Sequence, residues 1–115
     1  MSYQALWFRY FLLAIACELA VALPLLRMAD PSRKRRFGAV VLANLASHPI
    51  VWFVLPPLLA PRGIYVVVAE SWAIASEVAV YALVFPALPL ARALAVSALA
   101  NAASFGVGLV LNRFW

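Results

Sequence analysis

Three glutamates stand inside otherwise apolar stretches of the sequence: Glu18, Glu70 and Glu77. An ionised carboxylate at the centre of a bilayer costs about 2.5 to 3.5 kcal/mol even on lenient insertion scales, so each of them needs a compensating partner. Amide, hydroxyl and imidazole side chains occur in the other apolar stretches and are the candidates for that role. They are Asn44, Ser47, His48, Asn101 and Ser104.

These residue types support several kinds of chemistry. Carboxylates, carboxamides and hydroxyls form the all-oxygen set that hard cations prefer, and an imidazole adds a nitrogen suited to Zn, Mn or Fe. A divalent metal ion held by Glu18, His48 and Glu77 is therefore one expectation. The same carboxyls could hold protons, because apolar surroundings and a neighbouring carboxylate both favour the neutral form. The alternatives are a hydrogen-bonded network that only joins helices, and a pocket for an organic ligand or a catalytic centre.

The spacing of the polar residues places them on common helical faces. Asn44, Ser47 and His48 are related by i, i+3 and i+4, so they share one face of a helix. Lipid cannot solvate a polar stripe, so we expect the stripes to face one another across a bundle axis. Two further stripes have helical spacing: Glu70, Glu77 and Tyr81, and Ser97, Asn101, Ser104 and Gly108.

The composition indicates that the helices which position these residues cross a membrane. Of 115 residues, 68% are hydrophobic and 11% are charged, with a mean hydropathy of +1.01, whereas soluble domains hold about a quarter charged residues. Crossing a hydrocarbon core of about 30 Å takes roughly 20 helical residues. We predict an all-α protein, a single transmembrane domain with four spans at about 5–26, 37–60, 64–86 and 90–112.

The sequence contains an internal repeat. Residues 14–21 return at 73–80 with six of eight positions identical. A glutamate and an Asn-x-x-Ser motif recur in the same order within apolar segments, which indicates a duplicated helix hairpin. We therefore expect two parallel repeats, about 5–60 and 64–112, related by a pseudo-twofold axis. The duplicated residues expected to face each other are Glu18 with Glu77, Asn44 with Asn101, and Ser47 with Ser104.

His48 breaks the symmetry of the repeats, since Phe105 occupies the corresponding position. Pro49 lacks an N–H, which frees a carbonyl near Leu45 and kinks the helix, and in a membrane a side chain or a water must satisfy that carbonyl. A kink beside an ionisable residue favours a ligand or proton-relay role for His48, with a structural histidine as the alternative. The predicted ion- or ligand-binding residues are Glu18, Asn44, His48, Glu70, Glu77, Asn101 and Ser104.

The basic residues predict an orientation. Arg27 and the run 33–36 crowd the first connection and Arg92 lies in the third, while the opposite side carries only Arg9, Arg62 and Arg113. By the positive-inside rule the first and third connections are cytoplasmic and both termini lie outside. The net charge of +5 then reflects topology and not nucleic-acid binding. The run can also bind anionic lipid headgroups or an acidic partner, and consists of Arg33, Lys34, Arg35 and Arg36.

Enzyme motifs are missing from the sequence, and we predict no catalytic residues. It has no His-x-x-x-His, no Cys-x-x-Cys and no glycine-rich phosphate loop. The chain after residue 40 carries a set of short motifs: Asn44-x-x-Ser47-His48-Pro49, Ala69-Glu70, Glu77 and Asn101-x-x-Ser104. This set resembles a group of small, uncharacterised prokaryotic membrane proteins with several spans. The resemblance implies a protein of a prokaryotic inner membrane and carries no activity with it.

The leading hypothesis from the sequence is a small membrane protein that binds or translocates a proton or small cation. We expect it to work as a homo-oligomer, because four helices alone rarely enclose both a pathway and its gates. The rival is an accessory or assembly subunit of a larger membrane complex, in which the polar cluster joins helices. A pocket for a lipid or another organic molecule is the third alternative.

Overall fold

The structure is a computed structural model that describes residues 2–59 and 61–112. Within these residues the chain is helical, as predicted, and four helices are long and apolar enough to cross a membrane. Arg113, which the charge argument placed on the outer side, lies outside the described residues. The helices are α1 (Tyr3–Leu25), α2 (Arg33–Pro49) with a π-helical continuation (Ile50–Val54), α3 (Arg62–Val84) and α4 (Leu90–Leu111).

The second helix starts earlier and ends earlier than the predicted 37–60. Ser32 caps its N-terminus, because the Ser32 hydroxyl accepts a hydrogen bond from the Arg35 N–H at 3.3 Å. The Asp30 carboxylate accepts in turn from the Ser32 N–H at 2.8 Å, which fixes the turn. The basic residues 33–36 therefore form the first turn of α2 and not a loop. At the other end the π-helical stretch stops at Val54, ahead of two prolines.

The helices form an up–down bundle in which α1 and α3 each pack against α2 and α4. Contacts between helix ends fix their directions. At one end the Tyr3 hydroxyl donates to the Trp52 carbonyl at 2.6 Å, and the Tyr10 hydroxyl donates to Asn112 Oδ1 at 3.1 Å. At the other end Arg36 donates to the Leu23 carbonyl. We call these the Tyr3 end and the Arg36 end.

Packing differs between the two halves of the bundle. The half near the Arg36 end holds a continuous core of buried apolar side chains contributed by all four helices. The aromatic rings of Tyr81 and Phe85, 6.4 Å apart, are among the largest fully buried side chains. The core residues are Ala22, Leu26, Ala39, Val40, Ala43, Tyr81, Phe85, Leu88, Ala93 and Val96.

Candidate functional site

Glu77, in the middle of α3, is the centre of a buried polar cluster. Its side chain is 0% exposed and accepts hydrogen bonds from two neighbouring helices. Oε1 accepts from Asn101 Nδ2 at 2.8 Å and from Ser97 Oγ at 3.2 Å, both on α4. Oε2 accepts from Ser47 Oγ of α2 at 3.3 Å. Three donors thus converge on one carboxyl group.

Glu18 of α1 is the second buried carboxyl, with 1% of the side chain exposed. It lies against the side chains of Glu77 and Asn44, so the structure brings together the two glutamates of the sequence repeat. Neither Glu18 oxygen accepts a hydrogen bond of standard geometry, and Asn44 Oδ1 is also without a partner among the described residues. Asn44 Nδ2 donates to the Val40 carbonyl at 2.9 Å.

No cation from the described part of the chain compensates these two carboxyls. The ion pair found there joins Arg35 and Asp30 at 3.3 Å, close to the Arg36 end and away from the cluster. The Tyr81 hydroxyl, one helical turn beyond Glu77, is buried and likewise lacks a partner among the described residues. Both Glu18 oxygens and Asn44 Oδ1 thus lack a donor among the described residues, and the two acidic groups are in contact.

A cavity of about 650 Å³ occupies the half of the bundle near the Tyr3 end. Its outer part is lined by Arg9, Arg62 and Asn112, which are exposed. Its inner part is lined by Ser47 and Asn101, the same side chains that donate to Glu77. These two residues separate the cavity from the Glu77 carboxyl, so the cavity ends next to the acidic pair.

The remaining residues of the predicted site line this cavity and do not join the cluster. Glu70, His48 and Ser104 all contribute to its wall. The Ser104 hydroxyl donates to the Asn101 carbonyl at 3.2 Å, within its own helix. His48 Nδ1 is buried without a partner in the described chain, and its ring packs edge-on against Phe11 at 5.6 Å. The structure thus divides the predicted set into a buried cluster and a cavity wall.

The structure does not bring the three residues of the predicted metal site together. Within residues 2–59 and 61–112, no three side chains of the His, Cys, Asp or Glu types are placed to hold one ion. Glu18 and Glu77 are adjacent, but His48 lies in the cavity wall. The donors around Glu77 present N–H and O–H groups to it, as a carboxyl acceptor requires.

Aromatic side chains donate hydrogen bonds to backbone carbonyls near Pro49, where the regular α-helix ends. The Ile50 N–H bonds to the Ser47 carbonyl, and the Ala46 carbonyl instead accepts from the Trp72 indole at 3.3 Å. Further along, the Tyr65 hydroxyl donates to the Val51 carbonyl at 2.9 Å. The sequence predicted that a side chain or a water must satisfy a carbonyl freed near this proline, and here the partner is a side chain.

The four basic residues predicted to bind lipid headgroups fall into two groups. Arg33 and Lys34 are exposed. Arg35 pairs with Asp30 and donates to the Val84 carbonyl at 3.0 Å. Arg36 is 8% exposed and donates to the Leu23 and Pro31 carbonyls. The second pair thus ties α2 to the ends of α1 and α3.

Sequence reasoning placed Ser97 on a polar stripe but left it out of the predicted site, and it offered a pocket only as an alternative, without a position. Ser97 is fully buried and donates to Glu77. The signal was available, because Ser97 precedes Asn101 by one helical turn and shares its face. The cavity left no such signal, since it results from the way four helices meet.

Together, fold and site define a small four-helix chain of strongly apolar helices, with a buried carboxyl pair at the inner end of a cavity. No protein-family model, curated protein or solved structure matches the chain. What it does must therefore be inferred from its own residues.

Proposed function

We propose that the chain is a small integral membrane protein that binds a proton reversibly on the Glu18–Glu77 pair. The observation that carries this proposal is the contact between two carboxyls that are 1% and 0% exposed and have no cation beside them in the described chain. Two adjacent carboxylates in an apolar interior repel each other, and one shared proton removes that repulsion. A proton on one Glu18 oxygen would also make that oxygen a donor, either to Glu77 or to Asn44 Oδ1, which has no donor among the described residues.

The same arrangement favours a proton over a metal ion or another small cation. Three of the hydrogen-bonding positions at the Glu77 carboxyl are taken by N–H and O–H donors. A proton between Glu18 and Glu77 would leave those donors in place. A metal ion would need several ligands around it, and no three His, Cys, Asp or Glu side chains of the described residues are placed to hold one ion. Proton exchange would occur from the Tyr3 end, through the cavity, past Ser47 and Asn101.

Membrane insertion is supported by the outer surface of the bundle. Helices of 22 to 23 residues reach roughly 33 to 35 Å at 1.5 Å per residue, enough to cross a hydrocarbon core of about 30 Å. Leucines face outward along them, with Leu83 82% and Leu109 57% exposed. Water would not stabilise such a surface, but lipid would.

We propose that the chain lies in a prokaryotic inner membrane with the Arg36 end in the cytoplasm, and the charges support this orientation. Arg27, Arg33, Lys34, Arg35, Arg36 and Arg92 all belong to that end of the bundle, so the positive-inside rule places both termini and the cavity outside. Exposed Arg33 and Lys34 are then positioned to meet anionic headgroups of the inner leaflet. Arg35 and Arg36 instead donate to carbonyls at the ends of α3 and α1.

A duplicated hairpin accounts for the layout of the cluster. Asn44 contacts Glu18 across the α1–α2 pair, and Asn101 contacts Glu77 across the α3–α4 pair. These are corresponding residues of the two similar sequence segments, and the same pairing recurs in each hairpin. Two parallel repeats related by an axis through the Glu18–Glu77 contact would produce this pattern.

Transport of the proton would need a second route, because the core near Tyr81 and Phe85 is packed. We propose that this route opens in a homo-oligomer or by rearrangement of the core. The rival role, a subunit of a larger complex with a purely structural cluster, is favoured by one observation: the Glu77 carboxyl connects α2, α3 and α4 through its three donors.

The decisive experiment is acid titration of the purified protein in detergent, followed by the carboxylic acid C=O band in infrared difference spectra. The double variant Glu18→Gln/Glu77→Gln should lose the band and the corresponding proton uptake. Asp30→Asn, which removes a carboxylate at the Arg36 end, is the matched control and should keep both. Uptake and band unchanged in the double variant would refute proton binding at the pair. If the wild type takes up protons in detergent but shows no proton flux in liposomes, the pair binds a proton without transporting it, and the role as a subunit of a larger complex is favoured.

A further inference from the structure

We infer that the cavity at the Tyr3 end is a binding site for a small organic cation with an apolar body, whose charged group is met by the Glu70 carboxylate. This site is separate from the proton-binding pair, since Glu18 and Glu77 do not line the cavity. The inference therefore stands whether or not the pair exchanges protons.

The size of the cavity exceeds what proton access requires. A file of single water molecules would be enough to carry protons to Ser47 and Asn101, whereas the cavity measures about 650 Å³. Sites for small organic molecules in proteins span about 300 to 1,000 Å³ and combine mostly apolar walls with a few polar groups. The cavity fits both criteria, with Leu6, Leu13, Val66 and Leu109 among its apolar residues.

Aromatic rings make up much of the rest of the wall, and their positions are fixed by contacts. The Tyr10 and Trp52 rings stack at 5.7 Å, and the Tyr10 hydroxyl is held by Asn112 Oδ1. The Tyr65 hydroxyl is held by the Val51 carbonyl. Phe105 lies further along the same wall. Pre-positioned rings of this kind attract ammonium groups through their electron-rich faces and lose little entropy on binding.

Glu70 supplies the charge that selects a cation. Its carboxyl is half-buried in the wall, and neither a hydrogen bond nor an ion pair reaches it from the described residues. Arg9 and Arg62 also touch the cavity, but both are exposed near its mouth. Charges at an exposed mouth are screened by solvent, whereas a charge in a half-buried wall acts at a lower effective dielectric. The cationic group of a ligand should therefore lie at Glu70, with its apolar body among the rings.

Calorimetric titration with three aromatic probes tests this inference. Benzyltrimethylammonium is the cation, neopentylbenzene is its neutral isostere, and benzenesulfonate is an anion of related size; protein-free micelles correct for partitioning. We expect saturable binding of the cation, at least tenfold weaker binding of the isostere, and none of the sulfonate. Equal affinity for cation and isostere, preference for the sulfonate, or no saturable binding would each overturn the proposal.

Variants then locate the site. Glu70→Gln should weaken the cation at least tenfold while leaving the isostere unchanged, and the control Asp30→Asn should affect neither. Gly108 lines the cavity, and a Cβ there would meet Tyr10 Cε1 at an ordinary 3.9 Å, so Gly108→Leu should fold and block both ligands. This second variant decides the matter if Glu70→Gln fails to fold: unchanged cation binding in Gly108→Leu would place binding elsewhere and overturn the assignment.

Discussion

Replacing Glu77 with methionine should lower the free energy of unfolding by about 2 to 4 kcal/mol, because it removes an acceptor shared by three side chains. A buried donor left without an acceptor costs about 1 to 3 kcal/mol. Asn101 keeps a second bond that is as short as its bond to Glu77, and the two serines each retain a longer alternative. Asn101 also donates to the Ser97 carbonyl at 2.8 Å, Ser97 reaches the Ile74 carbonyl at 3.5 Å, and Ser47 reaches the Asn44 carbonyl at 3.4 Å.

Because of these other bonds, the loss of each bond to Glu77 should cost near 1 kcal/mol, about the lower limit of that range. Hydrogen bonds between transmembrane helices average only about 0.6 kcal/mol in measured cycles, which points the same way. Glu77→Gln should cost no more than about 1 kcal/mol, because its amide oxygen still accepts from Asn101 and Ser97 and its NH₂ group can donate to the Ser47 hydroxyl. The two variants therefore separate hydrogen bonding from charge.

Reversible unfolding by SDS in mixed micelles, followed by tryptophan fluorescence, measures both variants. Val67→Met is the control, because Val67 is 66% exposed on the same helix and should change stability by less than about 0.5 kcal/mol. Wild-type stability in Glu77→Met would refute the idea that the cluster joins the helices. Equal losses in the Met and Gln variants would mean that negative charge, and not hydrogen bonding, does so.

Two further substitutions test the bonds of Arg36 and the buried hydroxyl of Tyr81, which lies next to the Glu77 cluster. Arg36→Ala should lose about 2 kcal/mol of stability, because it removes the charged donor to the Leu23 and Pro31 carbonyls. The exposed control Lys34→Ala should lose under about 0.5 kcal/mol. Equal losses of the two variants in the same SDS titration would contradict a stabilising role for these bonds. Tyr81→Phe should leave stability unchanged or raise it by up to about 1 kcal/mol, because it removes a buried hydroxyl that has no partner in the described chain. A clear loss there would mean that the hydroxyl is bound after all.

The sequence predicted the helices and the meeting of the two glutamates because both follow from local patterns. Apolar runs of sufficient length define the helices, and the repeat of residues 14–21 at 73–80 indicated that Glu18 and Glu77 would lie at one depth. Helical spacing also placed Ser47 and Asn101 on the faces from which they donate. Each of these inferences needs only periodicity and one assumed bundle axis.

The start of α2 and the position of His48 depend on details that periodicity does not contain. The Ser32 cap and the Asp30 contact draw the basic residues 33–36 into the helix, although the sequence placed them in a connection. His48 shares a face with Ser47 and both line the cavity, but only Ser47 also reaches the Glu77 carboxyl. A side chain's final neighbour depends on such details as well as on spacing.

The position of the cavity follows from the point at which the two similar halves of the sequence differ. On the Arg36 side of the glutamates, α2 is a regular helix and small residues such as Ala39 and Ala43 allow close packing. On the other side, Pro49 ends α2 and the π-helical stretch begins. His48, directly before the proline, and Trp52 of the π-helical stretch line the cavity, opposite Phe105 and Gly108 of the uninterrupted α4. A π-helical turn is wider than an α-helical one and shifts the side chains that follow it. The hollow half of the bundle thus coincides with the broken helix. The carboxyl pair lies at the boundary between this half and the packed half.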